Sequence, residues 1–306
     1  KGAPKGAKVV HKPGFYAPKP YKDRSLIEKR LEAAEQILSG EDAGVLGASV
    51  VAAPFRAEAG RAYVPVLIEI DGPSLLAGLS GQIASLEIYA YAIGEDGSVG
   101  DFMTQNMGLD VEKVRPALEA SGLKFFGDLE LPPGDYLVRV LVRDAETGRS
   151  ATRAVPVMVP EFGSGSPTLA MPLFPEQPGK WLMVQEAAGT EARSQRPFPF
   201  VLDGNSYLPA AKPVIAAGGA AQFIVMGYNL GDEAVPLETT FLTADGAPVE
   251  GPKISFVTRG PGASPDATQL VLQLEPNGLP AGEYRLVTSL QGQERTTSIP
   301  FVVSGG

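Results

Sequence analysis

Few residues in this 306-residue chain have the types and spacing that bond-making chemistry needs. Histidine occurs once, at His11, and a Ser–His–Asp relay would have to borrow it from a terminal segment that nothing holds rigidly. No G-x-S-x-G, H-E-x-x-H, phosphate-loop or dinucleotide G-x-G-x-x-G pattern is present. The nearest imitation of a phosphate loop, Gly163-Ser164-Gly165-Ser166, lacks the lysine and helix that should follow, and reads as a linker. Cysteine is absent, so disulfides and thiolate metal sites are excluded. Carboxylates alone can hydrolyse glycosides, and Glu87, Asp101 and Glu238 are candidates. Their sequence surroundings mark no buried pair, so solvated acids are the expectation. Glu95, Asp96 and Asp101 share one acidic loop that invites calcium, but the EF-hand spacing is missing. Catalytic residues, cofactors and metals are therefore all expected to be none.

Aromatic side chains raise a different chemistry, the stacking of sugar rings. Trp181 is the one tryptophan, followed by Phe198, Phe200 and Tyr207. A single tryptophan in a β-module usually fills a core or an interface, so a glycan is the alternative rather than the main expectation. Tyr89 and Tyr91 alternate along one apolar run and share a face, which suits core packing.

The elements that must position these residues are mostly short strands. Gly 36 and Pro 28 make up more than a fifth of the chain and are spread between apolar runs, the punctuation of an all-β protein. The length suits two domains, and no apolar run is long enough to span a bilayer. Ser25 and Glu28 form a capping box, Ile27, Leu31, Ala34 and Leu38 recur at helical spacing, and Gly40 supplies a left-handed stop. This spacing predicts an amphipathic helix over 25–40 whose Ile27–Leu38 face packs on the first β-domain. From Val45 the period changes to two. Runs at 48–55, 62–70, 84–93, 123–131, 135–143 and 151–159 make up a first β-domain over 45–160, with a short connecting helix at Asp110–Ala120 weakened by Pro116. Residues 161–167 have linker composition, and a second series of runs fills 168–303.

Each half closes on the same unit. Leu131-Pro132-Pro133-Gly134-Asp135-Tyr136 and Leu279-Pro280-Ala281-Gly282-Glu283-Tyr284 each lead into a hairpin whose last strand carries a proline, Pro156 or Pro300. A tyrosine at such a corner is a feature of immunoglobulin-like sandwiches, where its hydroxyl bonds nearby backbone. Gly134, Tyr136, Gly282 and Tyr284 are thus expected to be structural corners. The fold expected is two immunoglobulin-like β-sandwich domains behind a basic arm and one helix.

Further residues carry a family resemblance. Lys12-Pro13-Gly14-Phe15-Tyr16-Ala17-Pro18, the helix at 25–39, the stretch 131–150, Val159-Pro160-Glu161-Phe162, the block 199–215 and Tyr228-Asn229 follow one another along nearly the whole chain. This order resembles the C-terminal region of bacterial von Willebrand factor A-related proteins, frequent in Acidobacteria. The A domain itself is not here, since its D-x-S-x-S metal motif has no counterpart. The resemblance implies export to the periplasm or beyond and a role in binding or assembly. Its metal-dependent adhesion does not carry over.

Charge fits that role. Lys1, Lys5, Lys8, Lys12, Lys19, Lys22 and Arg24 against Asp23 give residues 1–24 a net +6, which leaves −15 of the total −9 on the rest. An acidic body repels nucleic acid, so the basic residues are expected to form an extended arm, 1–24, that reaches an acidic protein partner. A larger assembly or a homo-oligomer would supply that partner. Starting at Lys1 without a signal core, the chain is expected to be a mature or trimmed product.

Overall fold

A computed structural model describes residues 19–57, 60–79, 81–162, 164–176, 181–185, 198–231, 237–262 and 264–305. His11, Gly163, Lys1, Lys5, Lys8, Lys12 and the element at 12–18 lie outside them.

Strands dominate, but the all-β expectation is corrected. Besides α1 (Leu26–Ser39), the described residues contain α2 (Gly72–Leu76) and α3 (Val111–Ser121), so the architecture is mixed. Asp71 caps α2 by accepting from Ser74 N at 2.7 Å, with Pro73 in the first turn, where its missing N–H costs nothing. In α3 the burial of Val111 and Leu118 accompanies a helix that keeps Pro116 inside it.

The first half builds two sheets from β1 (Ala43–Gly44), β2 (Ala48–Ala52), β3 (Phe55–Arg56), β4 (Ala62–Ile70), β5 (Ile83–Gly94), β6 (Val99–Asp110), β7 (Leu123–Leu131), β8 (Gly134–Asp144) and β9 (Ser150–Val159). One sheet runs β1-β9-β8-β5-β6, and the other holds β7-β4-β2 with β3 also on β4. Alternation assigns the faces. Leu86, Ile88 and Ala90 of β5, Val138, Val140 and Val142 of β8, and Val64, Val66 and Ile68 of β4 join one apolar cluster. The opposite row of the first sheet, facing outward, carries Glu87, Tyr89, Tyr91, Arg139, Leu141 and Arg143.

Among the described residues the second half has two larger sheets, besides the two-stranded pairs 175–176 with 208–209 and 201–202 with 205–206. Strands 168–169, 221–228, 267–275 and 253–261 form one in that order; 214–216, 296–304, 282–290, 237–243 and 248–249 form the other. Both halves share the continuous apolar cluster, which reaches Phe223, Leu286 and Phe301. Residues 182–185, beyond the linker stretch, return to pair in parallel with β7 of the first half.

At the two repeated corners, Tyr136 Oη donates to Pro132 O at 3.1 Å and Tyr284 Oη to Pro280 O at 3.0 Å. Gly134 takes φ +151°, which favours glycine; Gly282 does not enter that region. Pro156 and Pro300 sit in β9 and in strand 296–304, opposite Leu137 and Arg285.

Candidate functional site

α1 forms for local reasons that its sequence declares. Glu28 N donates to Ser25 Oγ, Ser25 N donates back to the Glu28 carboxylate, and Gly40 closes the helix at φ +67°. The Lys19 ammonium, 2.9 Å away, and these Ser25 bonds hold the exposed Glu28 carboxyl down at about 2.

The face that α1 buries is not the one its apolar spacing selects. Ala33 and Ile37 are the helix residues buried against Leu141, beside Tyr89 and Tyr91. Ile27, Leu31 and Leu38 are 69%, 66% and 68% exposed, and Ala34 is exposed with them. The expectation that Ile27, Leu31, Ala34 and Leu38 pack on the first β-domain is therefore corrected. The physical reason lies in the outward row of the sheet, whose charges and phenols need polar partners, not leucines.

Two arginines of β8 satisfy that need. Arg143, nearly wholly buried, donates from Nε and Nη2 to Glu87 Oε2 at 2.8 and 2.6 Å, and from Nη1 to Lys29 O at 3.0 Å. Its guanidinium lies 5.2 Å from the Tyr21 ring centroid and 5.9 Å from that of Tyr89. Arg139 Nη1 donates to Ile37 O at 3.1 Å and Leu38 O at 2.6 Å, two carbonyls that the helix end leaves free. Tyr21 completes the underside from the 3-10 turn Tyr21–Asp23, with Lys29 Nζ 4.5 Å above its ring. Burial pushes the Tyr21 phenol up to about 12, against the pull of Arg143. A depression of about 560 Å³ lies beside it, lined by Pro20, Tyr21, Lys22, Lys29, Glu146 and Thr147. α1 is thus a helix pinned by polar contacts, holding an apolar stripe toward solvent.

The described part of the basic arm does local work. Lys19 pairs with Glu28, Arg24 pairs with Glu32, and Lys22 lines the depression.

A second charged cluster escaped the sequence reading. Lys124 of β7 is wholly buried; its Nζ donates to Glu69 Oε1 at 2.7 Å and to Pro209 O at 3.3 Å. Glu176 Oε2 lies 2.8 Å away as an ion pair without hydrogen-bond alignment, and the Trp181 ring centroid is 4.3 Å from Nζ. Glu69 Oε1 also accepts from Ala211 N at 2.8 Å. Desolvation raises the Glu69 carboxyl above its ordinary range even so, with Lys124 pulling the other way. The cluster ties Glu176, Trp181, Pro209 and Ala211 to the outer face of β4 and β7. The clue in the sequence is the alternation of Lys124, Asp128 and Glu130 around Phe126, which gives an inner-looking strand a charged second face.

The remaining candidates each have a place. Trp181 is half-buried on Lys124, and Phe198, Phe200 and Tyr207 pack with Phe126 and Phe55. Glu87 is engaged by Arg143; Asp101 accepts from Glu130 N at 2.8 Å and Phe102 N at 2.9 Å. Asp96 accepts from Ser98, which lowers its carboxyl's pKa; Glu95 and Glu238 are exposed. Among the described residues no three acids or histidines gather to hold a metal, and no helix is long and apolar enough to cross a membrane.

No family model matches this chain, and no curated protein matches it. Among solved structures, it aligns with amylomaltase from Corynebacterium glutamicum at 18% identity. That alignment covers 31% of this chain and 12% of that one, with a TM-score of 0.23, too low to bear on fold or function.

Proposed function

We propose that this chain is a non-catalytic interaction subunit of a periplasmic or extracellular assembly. It is made of two immunoglobulin-like β-sandwich modules, 45–160 and 168–303, joined at 161–167. Two larger sheets in each half and a hydroxyl-tied tyrosine at each repeated corner support the sandwiches. The resemblance to the C-terminal region of von Willebrand factor A-related proteins supports export and assembly. The observation that carries the function is α1, a capped and doubly pinned helix that shows Ile27, Leu31, Ala34 and Leu38 to solvent. A helix face of this kind is a groove ligand or a helix partner waiting for its counterpart.

In native extracts the chain is expected to migrate in a particle larger than itself, and Leu31→Gln with Leu38→Gln to move it to the free fraction. Both positions are exposed, so folding stability should stay within about 0.5 kcal/mol of wild type. A free wild-type chain, or a doubly substituted one that stays in the particle, removes the reading.

A second reading, carbohydrate binding, has one favourable feature. Tyr91 and Phe102 stack with centroids 5.3 Å apart on the outward face, and Phe102 is half exposed. Glycan-array binding that Phe102→Ala abolishes would establish it; an array without specific binding ends it.

A further inference from the structure

We infer that the partner of the α1 face is a second copy of this chain, the two α1 helices lying parallel across a two-fold axis. This rests on the reading of α1 as a docking face and names its occupant. Ile27, Leu31, Ala34 and Leu38 follow one another at spacings of four, three and four. That is the seam of a coiled coil, with Ile27 and Ala34 at d and Leu31 and Leu38 at a.

The charges beside the seam select both the partner and its direction. Glu28, Glu32 and Lys29 are engaged within the chain by Lys19, Arg24 and the Tyr21 ring. Arg30 and Glu35 make no ion pair or hydrogen bond among the described residues, and they occupy a g and an e position flanking the seam. In a parallel pair each g residue meets the e residue five further along the other helix. Arg30 then meets Glu35 of the second copy, and two-fold symmetry makes this pair twice. An antiparallel pair would instead set e against e, placing Glu28 beside Glu35 of the other chain, a repulsion. The face is complementary to itself in the parallel direction.

Stoichiometry follows from the other side of the helix. Leucine at a with isoleucine at d favours three or more strands in free coiled coils. Here Ile37, the second g residue, is buried against the chain's own sheet, so only a two-helix seam is open. Ala34 at the middle lets the backbones approach closely. The helix that carries the seam is 14 residues, about 21 Å, long. Such a short seam gives a reversible dimer, helped because the sheet has already ordered the helix.

Sedimentation of the purified full chain over a range of concentrations tests this. Wild type should show a monomer–dimer equilibrium that Leu31→Gln weakens by about tenfold or more. Arg30→Glu should weaken it in a salt-dependent way, and Arg30→Glu combined with Glu35→Arg should restore it. Because the chain has no cysteine, Ala34→Cys reports direction. Mild oxidation should give a disulfide dimer only in the parallel pair, where the two positions meet, while Val45→Cys, exposed but outside the helix, should not. A monomer at every concentration, a dimer indifferent to Leu31→Gln, or a charge swap that fails to rescue overturns the inference. If the chain stays monomeric while Leu31→Gln with Leu38→Gln still frees it from its native particle, the docking face stands and the second copy falls.

Discussion

Lys124→Met is expected to cost about 3–5 kcal/mol of folding stability, because it removes a buried cation and leaves the carboxylates that face it behind. Lys124 is wholly buried, and Glu69 and Glu176 both contact its ammonium. Methionine fills the space but leaves Glu69, among the described residues, with the Ala211 N–H in place of the ammonium. Urea unfolding at neutral pH measures the loss as a fall in midpoint. The pH dependence makes the cause identifiable. Burial already raises the Glu69 pKa in the folded state, and Lys124 restrains that rise. Without Lys124 the folded value climbs further above the unfolded one. A carboxyl with a raised folded pKa carries no penalty below its unfolded pKa, where both states are protonated. The penalty grows as pH rises between the two values and is complete above the folded one. The deficit of Lys124→Met should therefore shrink on acidification through the raised Glu69 range, and Glu69→Gln in the same chain should flatten that dependence. A deficit independent of pH, or one below about 1 kcal/mol, would place Lys124 among ordinary surface-type ion pairs.

What the sequence made legible here is what depends on neighbours along the chain. Ser25, Glu28 and Gly40 set the ends of α1 within a few residues of themselves, and the runs that became β4, β5, β7, β8 and β9 alternate by their own composition. The direction in which α1 faces is set by Glu87, Arg139 and Arg143, some 50 to 110 residues away in the chain, so no helical wheel contains it. The connecting helix was readable from Asp110 to Ala120, close to the observed Val111–Ser121. β6 was not readable, since Val99–Asp110 lies at the edge of its sheet among the described residues, and its polar residues need no alternation. Lys124 reads as a solvated strand residue until Glu176, Trp181 and Pro209 cover it, and that contact joins segments no local pattern connects.

Arg143→Met should detach α1, although Arg143 belongs to a strand and touches no exposed apolar residue of the helix. Its guanidinium joins Glu87 to the Lys29 carbonyl between the Tyr21 and Tyr89 rings. Removing one member of a buried charged pair costs about 3 kcal/mol or more. Among the described residues, Ala33, Ile37 and Leu141, with Tyr89 and Tyr91 beside them, form a small apolar cluster under the helix apart from the main one, so the loss falls on its docking and not on the shared core. Hydrogen exchange should show amides of α1 losing protection by about a hundredfold while those of β4 and β7 keep theirs. Tyr21 supplies a second readout whose sign separates two outcomes. If the helix and its 3-10 turn leave the sheet, the phenol loses the burial that raised it to about 12 and returns toward its ordinary value. If they stay docked, the phenol loses only the favourable Arg143 charge and its pKa rises further. A difference titration of Arg143→Met against Arg143→Met with Tyr21→Phe reads that sign. A fall accompanied by weaker self-association would make the polar underside of α1 the support on which its apolar stripe depends; a rise would show the stripe held by other contacts.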